Sequence, residues 1–177
     1  QMIRATQNSF VNITGDNMTG DLNINGNLNV TNNITGNFIY GGMWAHHHPA
    51  RSLIISAPNT SINVSIFTNS TVNGFTSDNN QTLTAKVSGL YFVSYVMSFS
   101  GGTGDEYSLI VNVNAVEQEN THSHRSLGTP NDIGTTTGKG FVRLNKNDII
   151  KLIMENEDTS VDADISSVNL NLVRIGN

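Results

Sequence analysis

The sequence predicts an all-β protein: a sandwich of short strands preceded by an extended β segment. Three observations carry that expectation. Charged residues make up only 13% of 177 positions while Asn, Ser, Thr and Gly abound, and these are poor residues for helix interiors. Apolar and polar side chains alternate over long stretches, which is the period of extended chain. Turn residues then interrupt the alternation at short intervals from residue 52 onward, as in sandwiches and barrels.

Residues 1–40 form the first regime. Leu22, Ile24, Leu28, Val30, Ile34, Phe38 and Tyr40 are all even-numbered, and Leu22, Leu28, Ile34 and Tyr40 recur every six residues, with Gly26, Asn32 and Gly36 as bending points. Short strands turning about an axis produce that beat. A lone strand or hairpin cannot bury its own apolar stripe in water. Identical copies are the simplest partners, so the stripe is expected to be the core of a homotrimeric stalk, with Asn and Thr facing solvent.

Gly41-Gly42 and the run MWAHHHPAR read as a junction loop, residues 41–51. The remainder, 52–177, reads as a compact head with strands expected at 52–56, 62–67, 81–87, 89–99, 107–116, 138–144, 148–154 and 167–175. In GLYFVSYVMSF one face carries Tyr91, Val93, Tyr95, Met97 and Phe99, and the other carries Leu90, Phe92 and Val96. A monomeric sandwich needs one wet face per strand, so two apolar faces predict a second contact surface, which trimer packing supplies.

Several function classes are disfavoured. Cysteine is absent, which removes disulfide frameworks and Cys-ligated zinc. A net charge of −5 without a Lys/Arg cluster argues against nucleic acid. No apolar run approaches the roughly 18 residues of a membrane span, and Gln1 opens no signal peptide, so the chain is expected to start inside a longer protein without inserting into a membrane. Nothing resembles a nucleophile elbow, a phosphate loop or a His-Glu zinc motif. No enzyme activity is expected. Sequons such as Asn12-Ile-Thr14 and Asn63-Val-Ser65 are no more than this composition produces by chance.

The run SGLYFVSYVMSFSGG, then YSLIVNVNAV, then TTTGKGFVRLNKNDIIKLIMENEDTSVDADISSVNLNLVRIG resembles the C1q-like branch of the C1q and tumour-necrosis-factor superfamily. The matching positions are Gly89-Leu90-Tyr91-Phe92 with Ser94-Tyr95, then Gly140, Val142, Leu144, Asp148, Ile150 and Leu152, and finally Ser166-Ser167 leading into Leu170, Leu172 and Ile175. Asn147 stands where the family usually has Gly, and the aromatic of the last strand is missing. The resemblance implies a ten-strand jelly roll that assembles as a tight trimer and presents loops for recognition. Upstream, Gly15-Asp16-Asn17-Met18-Thr19-Gly20-Asp21-Leu22 continuing to Val30 resembles the repeats of bacteriophage tail and head fibres. That pairing implies a receptor-binding knob on a thin shaft at a virion surface. Spore-filament heads, the competing context, usually follow collagen-like Gly-X-Y repeats, which are absent here.

All five histidines fall in two groups, His46-His47-His48 and His122-Ser-His124. An H-x-H pair in extended chain points both imidazoles the same way, and a threefold axis would gather six nitrogens around one transition metal. His46 and His48 are the expected metal pair, since they lie where shaft meets head. Carboxylates concentrate at Asp105-Glu106 and at Glu155, Glu157, Asp158, Asp162 and Asp164, an oxygen-rich set that suits calcium. Recognition is expected from three loops, 101–106, 120–132 and 155–162, with Gly101, Gly102, Asp105, Glu106, His122, His124, Arg125, Asp132, Glu155, Glu157 and Asp158 as candidate contacts. The sequence thus reads as a non-enzymatic homotrimeric viral fibre knob whose partner is a host surface glycan or protein. The alternative is a structural decoration or spore-filament head with no specific ligand.

Overall fold

Alternating side chains bury one face of a strand only when a second layer closes over it. The computed structural model describes residues 38–177 except 130 and 131, together with residues 25 and 27. The chain divides between Gly36 and Asn37, and the second unit is the one described below. Leu22, Ile24, Leu28, Val30 and Ile34 of the expected stalk core lie outside the described residues.

The described chain forms two antiparallel sheets packed as a sandwich. Five strands make the first: β1 (Tyr40–Leu53), β3 (Asn69–Asn73), β6 (Gly89–Ser100), β10 (Gly134–Leu144) and β12 (Ala163–Gly176), in the order β10-β6-β12-β1-β3. Seven strands make the second: β2 (Ile62–Asn63), β4 (Phe75–Ser77), β5 (Leu83–Ala85), β7 (Glu106–Val113), β8 (Val116–Glu117), β9 (Ser123–Ser126) and β11 (Ile149–Asn156). Their path is β4-β5-β11-β7-β8, with β2 on β11 and β9 on β7. The expected all-β sandwich is what forms.

The core lies between the sheets. Tyr91, Val93, Tyr95, Met97 and Phe99, the inward face of β6, are each at most 3% exposed. Edge-to-face ring pairs tie the layers together: Phe75 to Tyr91 at 5.4 Å and Phe99 to Tyr107 at 5.2 Å between centroids. Offset and edge-on contacts of this kind add to the burial term. Tyr95 Oη lies 2.7 Å from Leu109 O and 2.6 Å from Thr121 O, donating to one of them, and 2.8 Å from Ser123 Oγ. Burial pushes this phenol up to about 12, against the opposing hydrogen bond to Ser123.

Four expectations need correction. Residues 41–51, expected as a junction loop, form the body of β1, paired with β12 on one side and β3 on the other. Gly41 is there for close packing: a Cβ would sit 2.9 Å from the Phe75 ring. The His-Pro run is absorbed as a register shift between His46 and Arg51, a bulge that leaves the strand continuous. The expected strands 52–56 and 62–67 shrink to the end of β1 and to β2. The expected strand 107–116 is a hairpin, because Asn114 and Ala115 adopt φ of 52° and 67°, the positive pair that a tight two-residue turn demands. β3, β4 and β9 were not expected, being short and rich in Asn, Ser and Thr.

Candidate functional site

Two surfaces merit attention, and the strand registers determine both. On the outer face of the five-stranded sheet, Phe141, Phe92, Val173 and Tyr40 stand in one cross-strand row, each opposite the next. Phe92 and Phe141 rings are 5.6 Å apart, yet Phe141 remains 58% exposed. Another row holds Val96, Asn169 and Trp44. Between the two rows, Gly42 helps to form a groove of about 370 Å³ lined by Tyr40, Trp44, Thr71 and Val173 among others. Leu90, Phe92 and Val96 occupy the outer face, as the alternation predicts, with Leu90 and Phe92 half-buried. Sequence reasoning missed Phe141 and Val173, although each sits on the expected alternation of its own strand.

The second surface is the cluster of three loops expected to recognise a ligand, which the fold brings together. Leu127 N–H donates to Asp105 O at 3.0 Å, and Glu157 N–H donates to Glu106 O at 2.9 Å. Glu106 N–H donates to Asp158 Oδ2 at 2.7 Å. The loops are thereby pinned by backbone bonds as well as by side chains.

Within that cluster several expected contacts are supports. Asp105 is buried at 6% exposure; Asn156 Nδ2 donates to its carboxylate at 2.8 Å, and the Thr159 hydroxyl donates to it as well. Asn156 Oδ1 accepts from the N–H groups of Asp158 and Thr159, both at 3.0 Å. Both bonds fall on Asp105 Oδ2, so this buried carboxylate serves first to hold the loops together. Gly101 and Gly102 permit close approach: a Cβ would collide with Tyr107 Oη at the first and with the Asp105 carboxylate at the second. Gly102 N–H donates to Tyr107 Oη at 2.8 Å, and that hydroxyl donates to Val161 O at 3.1 Å. Burial pushes the Tyr107 phenol up, and the nearby Asp105 charge adds to that, against the Gly102 bond.

The remaining candidates face outward. Arg125 pairs with Asp132 at 3.7 Å, and Ser61 Oγ donates to the Glu155 carboxylate. His124 Nδ1 lies 3.1 Å from both Glu106 Oε1 and Glu157 Oε1. His46 and His48 are exposed on β1, while His47 Nε2 lies 2.9 Å from Ile66 O. Among the described residues, the one group of three or more His, Asp or Glu ligand atoms gathered closely enough for a metal is His122, His124 and Glu157. Among the described residues, no third ligand joins His46 and His48 in such a group.

No family model matches this chain, and no curated protein matches it by sequence. Solved structures do match. Over 80% of this chain and 95% of the other, the structure of Eiger TNF from S. frugiperda superposes with a TM-score of 0.59 at 11% identity. Murine APRIL at pH 5.0 gives 0.53 at 11% identity over 77% of this chain and 99% of its own; at pH 8.0 it gives 0.51 at 10% over the same shares. The fold is a TNF-type jelly roll. At such identities the likeness concerns the fold alone, since one fold hosts many functions.

Within the jelly roll, Asn147, which departs from the pattern of the sequence resemblance, has a clear backbone reason. Asn147 adopts φ of 75°, a left-handed conformation that Gly takes freely and Asn tolerates better than other side chains. Asp148 beside it holds the turn, accepting from Asn145 N–H and from Asn114 Nδ2, both at 2.7 Å. This part of the resemblance therefore marks a turn and not a ligand site.

Proposed function

We propose that this chain is the end of a viral, phage-type fibre: a non-enzymatic homotrimeric head that binds a glycan or protein on a host surface, carried by the shaft segment expected over 1–40, whose last residue, Tyr40, belongs to β1 of the head. The observation that carries the reading is the outer face of the five-stranded sheet. Phe92, Phe141, Val173, Tyr40 and Trp44 there form a patch beside a groove floored by glycine, and monomeric proteins rarely leave such patches uncovered. Two further copies of the same chain are the partners this reading assigns to it. Support comes from the resemblance to the C1q and tumour-necrosis-factor superfamily and from the alternating stripe upstream, which needs the same number of copies.

Recognition is assigned to the outward groups of the loop cluster, namely Glu106, His122, His124, Arg125, Asp132, Glu155, Glu157 and Asp158. Three copies would multiply weak contacts by avidity, which suits an abundant surface glycan. A transition ion held by His46 and His48 on the threefold axis, or calcium among the carboxylates of 155–164, belongs to the same reading.

Light scattering on the full chain and on a truncation beginning at Asn37 tests the assembly. A trimer in both supports a self-sufficient head with an added shaft. A monomer in both leaves the apolar face without a partner and removes the basis of the proposal. With the trimer in hand, a glycan array and binding to candidate host cells separate adhesin from decoration: binding lost on substitution of the outward loop residues favours the adhesin, and silence across all surfaces favours decoration.

A further inference from the structure

The outer edge of the loop cluster holds an arrangement that neither the fold nor the fibre reading requires. The 3₁₀ turn Glu119–Thr121 ends at His122, whose φ of −66° and ψ of 139° are already extended, so His122 and His124 project to the same side of the chain entering β9. Their rings lie 4.4 Å apart, inclined by 33°. Pairing of β9 with β7 sets His124 opposite Ser108, and pairing of β7 with β11 sets Ser108 opposite Glu155. Glu106 and Glu157, two positions further along those strands in the direction of the loops, come to the same imidazole.

We propose that His122, His124 and Glu157, completed by Glu106, form a binding site for a borderline divalent transition metal ion such as Zn²⁺, Ni²⁺ or Cu²⁺. The ligand atoms of the first three already lie within 4.8 Å of one another. Zinc binds nitrogen and oxygen at about 2.0–2.2 Å, which places tetrahedral ligand atoms about 3.4 Å apart. The two contacts of His124 Nδ1, at 3.1 Å to Glu106 and 3.1 Å to Glu157, are close to that spacing, and rotation of the exposed His122 side chain supplies the rest.

Charge favours an ion over a proton here. Two carboxylates address one ring nitrogen, and a single N–H serves only one of them well. A dication serves both. Glu119, 3.7 Å from His122 Nδ1, and Asp158, held to the Glu106 N–H, add negative charge around the position. Two imidazoles among the donors select a transition metal over calcium or magnesium, which prefer all-oxygen shells. Bound there, the ion ties the start of β9 to the 155–162 loop and stiffens the proposed recognition surface.

The test is calorimetric titration of ZnSO₄ into the chelator-treated full-length protein, with the Cu²⁺ form examined by electron paramagnetic resonance. The expected result is one ion per chain beside any axial ion at His46 and His48, a Cu²⁺ spectrum with nitrogen coupling, and a raised melting temperature. His124→Ala and His122→Ala should each weaken binding at least about tenfold, given that outer-shell groups alone contribute about 10–100-fold. Glu157→Gln should weaken it too, whereas His46→Ala/His48→Ala should remove at most the one ion per three chains assigned to the axis and leave the per-chain ion in place. The inference is overturned if Zn²⁺ gives no saturable heat, if one ion binds per three chains, or if binding survives His122→Ala/His124→Ala and vanishes in His46→Ala/His48→Ala. Such a failure leaves the trimeric head untouched, because assembly is read separately by light scattering.

Discussion

The two sheets of the jelly roll turn very different outer faces to their surroundings. The five-stranded sheet presents Phe141, Val173, Tyr40, Trp44 and Val96, each at least 38% exposed. The corresponding face of the seven-stranded sheet presents Asn63, Asn112, Lys151 and Glu155 with an exposed apolar side chain, Ile149, on β11, while Ile110 and Ile153, opposite each other in register, are sealed to 4% exposure. Both sheets bury their inner faces equally well. The difference teaches that the first sheet carries the broader apolar surface, the kind suited to a partner, whereas the second is mostly polar outside, and it locates solvent-facing chemistry on the second.

The strongest way to break this comparison is to charge the apolar face. Phe141→Glu should convert the proposed assembly of three chains, of 19.1 kDa each, to one, read by light scattering, while Lys151→Glu on the other sheet should leave the mass unchanged and shift stability by less than about 0.5 kcal/mol. Equal behaviour of the two variants would erase the distinction between the faces.

Next in size is the loop cluster at the end of the second sheet. Asp105→Ala should cost about 2 kcal/mol in urea unfolding, because it removes the shared acceptor of the Thr159 hydroxyl and of buried Asn156 Nδ2, which keeps only its longer contacts to Thr159 Oγ1 and Val161 O. A loss under 0.5 kcal/mol would mean that the buried carboxylate does not hold the loops together. Tyr95→Phe should cost less, about 1–1.5 kcal/mol, since one hydroxyl bond joining the sheets is removed while the ring still fills its site. Stability that does not change would show that the layers are joined by apolar contact alone.

The smallest effect is electrostatic. Burial by itself raises the pKa of Asp78, but its Oδ1 accepts from the N–H groups of Asn80, Gln81 and Thr82 at 2.9 Å each, and together these bring the carboxyl from 3.8 down to about 2. A carboxylate with a depressed folded-state pKa stabilises the fold above its unfolded value and loses that contribution as pH falls through the folded one. Asp78→Asn should therefore lower the melting temperature slightly at pH 7, and the gap to the parent should narrow between about pH 4 and pH 2. A gap independent of pH would assign the effect to geometry instead of charge.

Legibility in the sequence followed alternation more than length. The strands β6, β10 and β12 were readable because apolar and polar side chains alternate along them, and β11 because a short apolar run lies between turn residues, whereas β1, at 14 residues as long as β12, reads as a junction loop over 41–51. The two-residue strands β2 and β8 and the polar β3 and β9 carry too few side chains for any period, and hydrogen bonds to neighbouring strands create them. Gly41-Gly42 looked like a break because a glycine's tolerance of bends and its usefulness in close packing leave the same letter. The three candidate loops were legible from their polarity and carboxylates, but their convergence was not, and neither was the division of labour that buries Asp105 and leaves Glu106 outward.

By itself the sequence determined the fold class, the inward and outward faces of the long strands, and the histidine and carboxylate groups worth attention, because composition and period act locally along the chain. Only the tertiary structure decided that the Gly-Gly and His-Pro run is strand, that Phe141 and Val173 complete an apolar row with Phe92 and Tyr40, and that His122 and His124 meet Glu106 and Glu157. Those relations depend on register between strands far apart in sequence, where a shift of one residue moves every side chain to the opposite face.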